Sequence, residues 1–313
     1  MKTMTRTHSV LRNLTLVCVA LAALAAKPAV TPPKLYASPE AAAEALVQAA
    51  RTAGDSAVIE VLGSDASDLL QSGDEVADRN IRDDFLSSYD AKHTFERDGD
   101  AKAILVTGND DFPFPIPVVK QGEQWRFDTE AGRTEILARR IGRNELDAMQ
   151  VCLAYVDAQR EYASIDRDGD GLYEYAQFFL SRKDKQDGLY WPTKEGEPDS
   201  PLGELMVEAQ AEGYRGEQGH QTPYHGYFYK ILTKQGPNAD GGAYDYMVRG
   251  RMIGGFALVA FPAEYGVSGI TTFVVNHDGV VFSKDLGEDT AKLGKAMTSF
   301  DPDSTWEYEK REE

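Results

Sequence analysis

The strongest chemical pattern in the chain is a short acidic run in which three aspartates alternate with other residues. The run contains Asp166, Asp168 and Asp170, and Gly171 closes it. A tight turn places alternating carboxylates on its inner side, where their like charges repel one another unless a hard cation lies between them. The spacing matches the first, third, fifth and sixth positions of a calcium loop. We therefore predict that calcium binds here as a cofactor.

Further oxygen ligands for this ion must come from residues that follow the run. Leu172 offers a backbone carbonyl, and Glu174 or the more distant Asp187 offers a carboxylate. Gln177 stands at the twelfth position, where an EF-hand has a bidentate glutamate, so this is not a standard EF-hand. The predicted metal ligands are Asp166, Asp168, Asp170, Leu172 and Glu174. A solvated turn is the alternative interpretation, because Asp and Gly favour turns without any metal.

Cysteine and histidine offer weaker chemical signals. Cys152 lies on the apolar side of a helical pattern, so we expect a small buried hydrophobe there and no nucleophile. His220, His225 and His277 are the candidates for a transition-metal site or a general base, and the alternative is that each histidine only bonds its loop neighbours. We assign no catalytic residue.

The start of the chain predicts export. Lys2, Arg6 and Arg12 precede an uncharged run over residues 13–26 that ends in small residues. This order is typical of a secretory signal peptide, which we place at residues 1–26. Its removal leaves no stable membrane anchor, and we expect a periplasmic or extracellular protein.

Charge narrows the range of partners. The full chain carries a formal charge of −18, and loss of the three basic residues of the signal peptide brings it to about −21. Such a field repels nucleic acid and attracts cations or basic proteins, so we expect a protein partner and no nucleic acid. Cys152 is the single cysteine after residue 26, which excludes an internal disulfide in the processed chain.

Patterning predicts an α+β fold in two domains. The first, residues 27–130, begins with a helix capped by Ser38 and contains a second apolar segment at 57–62 and a helix over 74–89. Strand patterns follow at 101–107, 116–120 and 124–127, which makes a small antiparallel sheet. This order, closed by the strand at Trp125, resembles the cone-shaped nuclear-transport-factor-2-like domains.

The second predicted domain, residues 131–313, starts with one long helix over 131–164 that could bend at Gly142. After the acidic loop we predict a helix over 200–213 and an antiparallel sheet. The strand patterns cover 227–233, 244–251, 256–261 and 271–284, and the last of these folds back at 276–279. Alternation in the first of these strands puts Tyr227 and Tyr229 on one face and Phe228 on the other, so we expect one set to be buried and the other exposed.

Several of these segments together resemble one exported bacterial family. They are GRNEL at 142–146, YVDAQREYA at 155–163, DGLYWP at 187–192, PYHGY at 223–227, the acidic loop and the final hairpin. The family is domain-of-unknown-function family 2950, and the likeness covers nearly the whole processed chain. The resemblance implies export and a shared fold, and it implies no catalytic residue.

The C-terminal part also resembles the globular heads of type IV pilins and pseudopilins. The likeness rests on the long helix, the acidic loop, the segment GYFY at 226–229 and the hairpin FVVNHDGVV at 273–281. The chain departs from that family at its start, because it lacks the Gly-Phe processing site with a glutamate five residues later. The resemblance implies a pilin-head-like module on a carrier that does not polymerise by the pilin route.

Three functions remain open. The first is a secreted or periplasmic, calcium-stabilised accessory or interaction protein of unassigned activity, linked to a pilus-like or secretion apparatus. The second is a hydrolase that uses acidic residues. The third is a small-molecule binding protein whose N-terminal cone encloses an apolar ligand near Trp125. We favour the first, and an enzyme is the less expected outcome.

Overall fold

The computed structural model of the chain describes residues 31–52, 54–194, 196–214 and 222–309. The predicted signal peptide, residues 1–26, and His220 lie outside these ranges. Within them, no helix combines the length and the apolar character that a bilayer crossing requires. The described residues belong to one compact unit, and the division at residue 130 stays a prediction.

The N-terminal helices begin where the sequence places their caps. In the first, the Ser38 side chain accepts a hydrogen bond from the Ala41 N–H at 3.2 Å, and Pro39 occupies the first turn. In the fourth, the buried Asp74 accepts from the N–H groups of Val76 and Ala77. The helices are α1 Pro39–Arg51, α2 Ser56–Leu62, α3 Ser67–Leu70 and α4 Glu75–Ala91, with a 3-10 turn over Ser64–Ala66 before α3.

An antiparallel sheet packs against these helices. Its strands are β1 His93–Asp98, β2 Lys102–Thr107, β3 Phe112–Pro113, β4 Val118–Gln121 and β5 Gln124–Phe127. The strand order is β1-β2-β4-β5, and β3 pairs with β2. Trp125 and Phe127 join Leu46 of α1 in the buried N-terminal cluster. The predicted α+β character is therefore confirmed in this half.

A single helix of 34 residues, α5 Thr129–Tyr162, links the two halves of the molecule, as its uninterrupted pattern predicts. It buries Cys152, Tyr155 and Val156 against the C-terminal sheet. The α6 helix is Gly203–Ala211, and α7 is Thr290–Ala296.

The C-terminal sheet has five strands, which are β6 Tyr227–Leu232, β11 Ala257–Pro262, β12 Thr271–Asn276, β13 Val281–Asp285 and β14 Glu307–Glu309. Their order is β14-β13-β12-β11-β6, and all neighbours are antiparallel. Four short strands lie between β6 and β11 along the chain: β7 Lys234–Gln235, β8 Tyr244–Asp245, β9 Met247–Val248 and β10 Arg251–Met252. The hairpin at 276–279 is confirmed, with the Gly279 N–H bonded to the Asn276 carbonyl at 2.9 Å. The C-terminal antiparallel sheet of the predicted fold class is thus present.

Two predictions about this half are wrong. The expected strand over 244–251 is broken into short pieces, because Arg249 and Gly250 have φ values of +51° and +84° and turn the chain between β9 and β10. The expected division of β6 into a buried and an exposed face is not found either, because Tyr227 is buried while Phe228 and Tyr229 are both half-buried. The Phe228 ring lies 5.8 Å from the Phe261 ring, and Lys295 Nζ of α7 lies 5.7 Å from the Phe228 ring.

Candidate functional site: the acidic loop

Local hydrogen bonds shape the acidic loop that follows α5. One carboxylate oxygen of Asp166 accepts from the Gly169 N–H at 2.9 Å and the other accepts from the Gly171 N–H at 2.8 Å. The Asp170 carboxylate accepts from the Leu172 N–H at 3.0 Å. Gly169 and Gly171 have φ values of +75° and +88°, which side chains with a Cβ rarely adopt. The sequence therefore encodes a tight turn with its carboxylates on the inside.

The three predicted aspartates do converge. One carboxylate oxygen from each of Asp166, Asp168 and Asp170 lies within 4.8 Å of the others. Across the described ranges, no other group of three or more His, Cys, Asp or Glu side chains comes together in this way. Carboxylate oxygens are the ligands that calcium prefers, so the donor chemistry fits that ion.

An arginine from the C-terminal half reaches into this cluster. Arg251 Nη2 contacts the Asp170 carboxylate and lies 3.3 Å from Asp168 Oδ2, and Nη1 lies 4.0 Å from Glu174 Oε2. Four carboxylates and one guanidinium leave a formal charge of −3 at neutral pH. The protein thus supplies one cation to the loop and leaves most of its negative charge uncompensated.

The pKa values of two loop carboxyls move in opposite directions. Hydrogen bonds from backbone N–H groups, that of Gly171 first, lower the pKa of Asp166 below its usual range. Burial raises the pKa of Glu174, the nearby aspartates raise it further, and Arg251 acts in the opposite direction. Glu174 therefore shares the electrostatic field of the loop, and its role as a metal ligand stays a prediction.

A buried glutamine closes the loop at its base. Gln159 of α5 donates from Nε2 to the Ala176 carbonyl and accepts from the Ala176 N–H through Oε1, both at 2.8 Å. The Tyr175 N–H then bonds the Met252 carbonyl at 2.8 Å, and Gln177 Nε2 bonds the Gly250 carbonyl at 2.9 Å. The loop is therefore fixed to the end of α5 on one side and to the β9–β10 turn on the other.

Sequence reasoning missed both Arg251 and Gln159. Arg251 is far from the loop along the chain, and the one signal for Gln159 is a polar residue on the apolar side of α5.

Asp187, the alternative carboxylate, pairs with Arg182 instead, accepting from its backbone N–H at 2.9 Å and from Nε at 2.6 Å. Leu172 lies two residues after Asp170 and has an exposed side chain. Its N–H donates to the Asp170 carboxylate.

The cysteine and histidine candidates lie elsewhere. Cys152 is fully buried and burial raises its pKa to about 12, so the prediction of a core thiol is confirmed. His225 lies between two carboxylates, with Nδ1 3.3 Å from Asp147 and Nε2 3.5 Å from Glu212. His277 Nε2 lies 3.9 Å from the carboxylate of the next residue. The two candidate histidines within the described ranges thus have separate partners.

Fold and loop together define an α+β protein with an acidic loop between a long helix and an antiparallel sheet. A family model with the description "Protein of unknown function (DUF2950)" matches residues 33–308, and the chain belongs to this family. The comparison with curated proteins gave no match. The comparison with solved structures gave none either.

Proposed function

We propose that this protein is an exported accessory protein that binds another protein and that calcium in the acidic loop stabilises its binding side. The observation that carries the proposal is the convergence of Asp166, Asp168 and Asp170. Arg251 pairs with the last two of these and with Glu174. A divalent cation would neutralise most of the remaining charge of −3. Without a cation, the carboxylates that carry this charge repel one another.

The chain offers a ligand set of the right kind for calcium. Side-chain oxygens would come from the three aspartates and Glu174, and a backbone oxygen would come from Leu172, within the six to eight oxygens that calcium accepts. Bound calcium would hold these oxygens together against their mutual repulsion. Because Gln159 and Arg251 connect the same loop to α5 and to β10, the ion would also stabilise the junction between them. Extracellular calcium modules function with dissociation constants of about 0.1–1 mM, so a weak site suffices.

Exposed apolar side chains near the loop support a protein partner. Tyr173 is 63% exposed, directly after the loop, and Val248 is 44% exposed, opposite Arg251 in the β9–β10 pair. The exposed large apolar side chains of these two regions are Ile165, Leu172, Tyr173, Phe178, Tyr244, Val248 and Ile253. Apolar and aromatic surface next to charge is typical of protein-binding sites.

The link to a pilus-like or secretion apparatus rests on the pilin-head resemblance of the segments at 226–229 and 273–281 and stays a prediction. Periplasmic or extracellular location rests on the signal peptide pattern at residues 1–26. Both fit a protein that meets its partner outside the cytoplasm.

Thermal unfolding tests the calcium part. The processed protein should melt at a higher temperature in calcium than in chelator, and magnesium at equal ionic strength should give a smaller shift. The double variant D168N/D170N should lose the calcium shift. The matched control D100N/D110N removes two exposed aspartates of the N-terminal half and should keep it. Equal midpoints for the wild-type protein in calcium and in chelator would overturn the calcium proposal.

Affinity capture tests the partner. The processed protein, immobilised through its C-terminus, should retain a defined protein from the native cell envelope in calcium and release it in chelator. The variant L172S/Y173S should capture less of it, whereas V207S, which changes an exposed apolar residue of α6, should capture the same amount. Identical capture by all three proteins would count against the apolar surface near the loop.

A further inference from the structure

The long helix α5 covers only part of one face of the C-terminal sheet. It packs on β11 and β12 and also touches β13. In the register of the sheet, Phe273 of β12 lies opposite Ser283, and Ser283 lies opposite Glu307 of β14. Opposed residues of antiparallel strands lie on the same face. Because Phe273 lines one groove together with Met149 of α5, this face of β13 and β14 continues the surface on which α5 lies.

The groove beside α5 has a volume of about 650 Å³. On the helix its lining consists of Gly142, Leu146 and Met149, which follow one another at four- and three-residue steps on one side of α5. Leu146 is 60% exposed, and a Cβ added at Gly142 would meet no atom within 4 Å. The helical wall of the groove is therefore apolar and open to solvent.

Carboxylates line the sheet side of the groove. Glu307 and Glu309 belong to β14, and Asp285 of β13 lies opposite Thr271. Glu145 of α5 lies at the same place, because its Oε1 accepts from the Thr271 N–H at 3.0 Å. Among the residues that the structure describes, none of these four carboxylates has an ion-pair partner. Their negative charge is therefore not neutralised within this part of the chain.

A lysine also lines the groove. Lys284 Nζ donates to Thr305 Oγ1 at 2.5 Å and lies 5.8 Å from the Trp306 ring. The four carboxylates and this one ammonium leave a formal charge of −3 at neutral pH. A ligand that complements the groove must therefore combine apolar surface with several positive charges.

The width of the uncovered strip matches one helix. Neighbouring strands lie about 4.8 Å apart, so β13 and β14 together extend about 10 Å beyond β12. A helix with its side chains is about 10–12 Å across, and packed helices lie about 8–10 Å apart. One more helix beside α5 would therefore lie over β13 and β14, with one side against Leu146 and the other against the β14 glutamates.

We propose that the groove between α5 and β14 binds a basic amphipathic helix of a partner protein. The apolar side of that helix packs on Leu146 and Met149, and its lysine or arginine side chains pair with Glu307 and Glu309. A second copy of this chain is a poor occupant, because a chain with a formal charge of −18 would bring further negative charge to the groove. This binding surface is separate from the acidic loop and does not depend on calcium.

Binding of a model helix to the processed protein tests the groove. The probe is a dye-labelled peptide of about fifteen residues with leucine at helical spacing and lysine elsewhere, and the control peptide has glutamate in place of each lysine. Fluorescence anisotropy in chelator, at about 0.15 M salt to screen long-range attraction, should show at least about tenfold tighter binding of the lysine peptide. The bound lysine peptide should also gain helical circular dichroism. Equal binding of the two peptides, or binding without a gain of helix, would overturn the proposal.

Charge variants separate the groove from the overall negative charge of the protein. E307Q/E309Q should weaken binding of the lysine peptide about fivefold, as expected for loss of two partly exposed ion pairs. D100N/D110N removes the same number of charges from exposed positions of the N-terminal half and should bind like the wild-type protein. Equal affinities of these two double variants would mean that the peptide follows net charge alone, and the groove would then not be its site.

Apolar variants test the helical wall. L146S should weaken binding of the lysine peptide about tenfold, because the leucine loses the apolar surface that it would bury. V207S changes an exposed apolar residue of α6 and should bind like the wild-type protein. Both side chains are exposed, so both variants should fold. Equal affinities of L146S and V207S would contradict the proposal, and so would a wild-type dimer in sedimentation that L146S converts to a monomer, because a second copy would then occupy the groove.

Discussion

Replacement of Gln159 by leucine should strongly destabilise the protein. Gln159 has no exposed surface, and its amide bonds both backbone groups of Ala176 and the Tyr155 hydroxyl. Leucine is close to glutamine in size but bonds none of these groups. Q159L therefore leaves the N–H and the carbonyl of the buried Ala176 without partners.

The magnitude follows from those two groups. A buried polar group that loses its partner costs about 1–3 kcal/mol, so two of them cost about 2–6 kcal/mol. Burial of the leucine side chain in place of an amide offsets about 1–2 kcal/mol of that. We expect Q159L to lower the free energy of unfolding by about 3 kcal/mol, which is a large part of the 5–15 kcal/mol typical of folded domains.

Equilibrium urea unfolding in chelator measures this loss. The matched control is Q177L, because Gln177 lies on the same loop but makes one exposed hydrogen bond, to Gly250. Q177L should change the free energy of unfolding by less than about 1 kcal/mol. If Q159L loses no more stability than Q177L, then the glutamine does not close the loop in the way we describe.

Three further predictions concern the core and the loop. G294A should lower the free energy of unfolding by about 2 kcal/mol in urea titration, because a Cβ at this position of α7 would clash with the Phe261 ring. The control A296S changes an exposed residue of α7 and should leave the free energy of unfolding unchanged. Burial raises the Cys152 pKa to about 12, so iodoacetamide at about pH 8 should alkylate the thiol at the rate of unfolding, and fast alkylation of the folded protein would contradict its burial. Because the pKa of Glu174 is raised in the folded state, the folded protein keeps the Glu174 proton to higher pH than the unfolded chain does. In chelator, the contribution of Glu174 to the free energy of unfolding should therefore fall as the pH rises above 4.5, the usual pKa of a glutamate. Melting temperatures across that range should show a flatter profile for E174Q.

Local patterns predicted the helices and the loop well. Ser38 and Asp74 cap helices because their side chains bond N–H groups two or three residues later, and this needs no tertiary structure. The turn at Asp166 forms for the same reason, through bonds to Gly169 and Gly171. The carboxylates of the candidate metal site could therefore be predicted from one short segment of the sequence.

Exposed or weakly patterned elements were missed. The β1 strand, His93–Asp98, has exposed residues at five of its six positions, so it lacks the alternation that predicts a strand and exists because β2 pairs with it. The α7 helix is seven residues long and β14 is three, which is too short for a clear period. Their positions depend on the sheet they cover or extend.

The sequence by itself determined where the capped helices α1 and α4 begin, where the acidic loop and the final hairpin turn, and which oxygens could surround a cation, because each of these depends on neighbours a few residues apart. The tertiary structure alone decided that Arg251 enters the acidic loop and that Lys295 of α7 lies over the Phe228 ring. It also placed His225 between Asp147 and Glu212. Those contacts join residues that are distant along the chain. Their formation depends on how the sheet packs between α5 and α7, which no local pattern specifies.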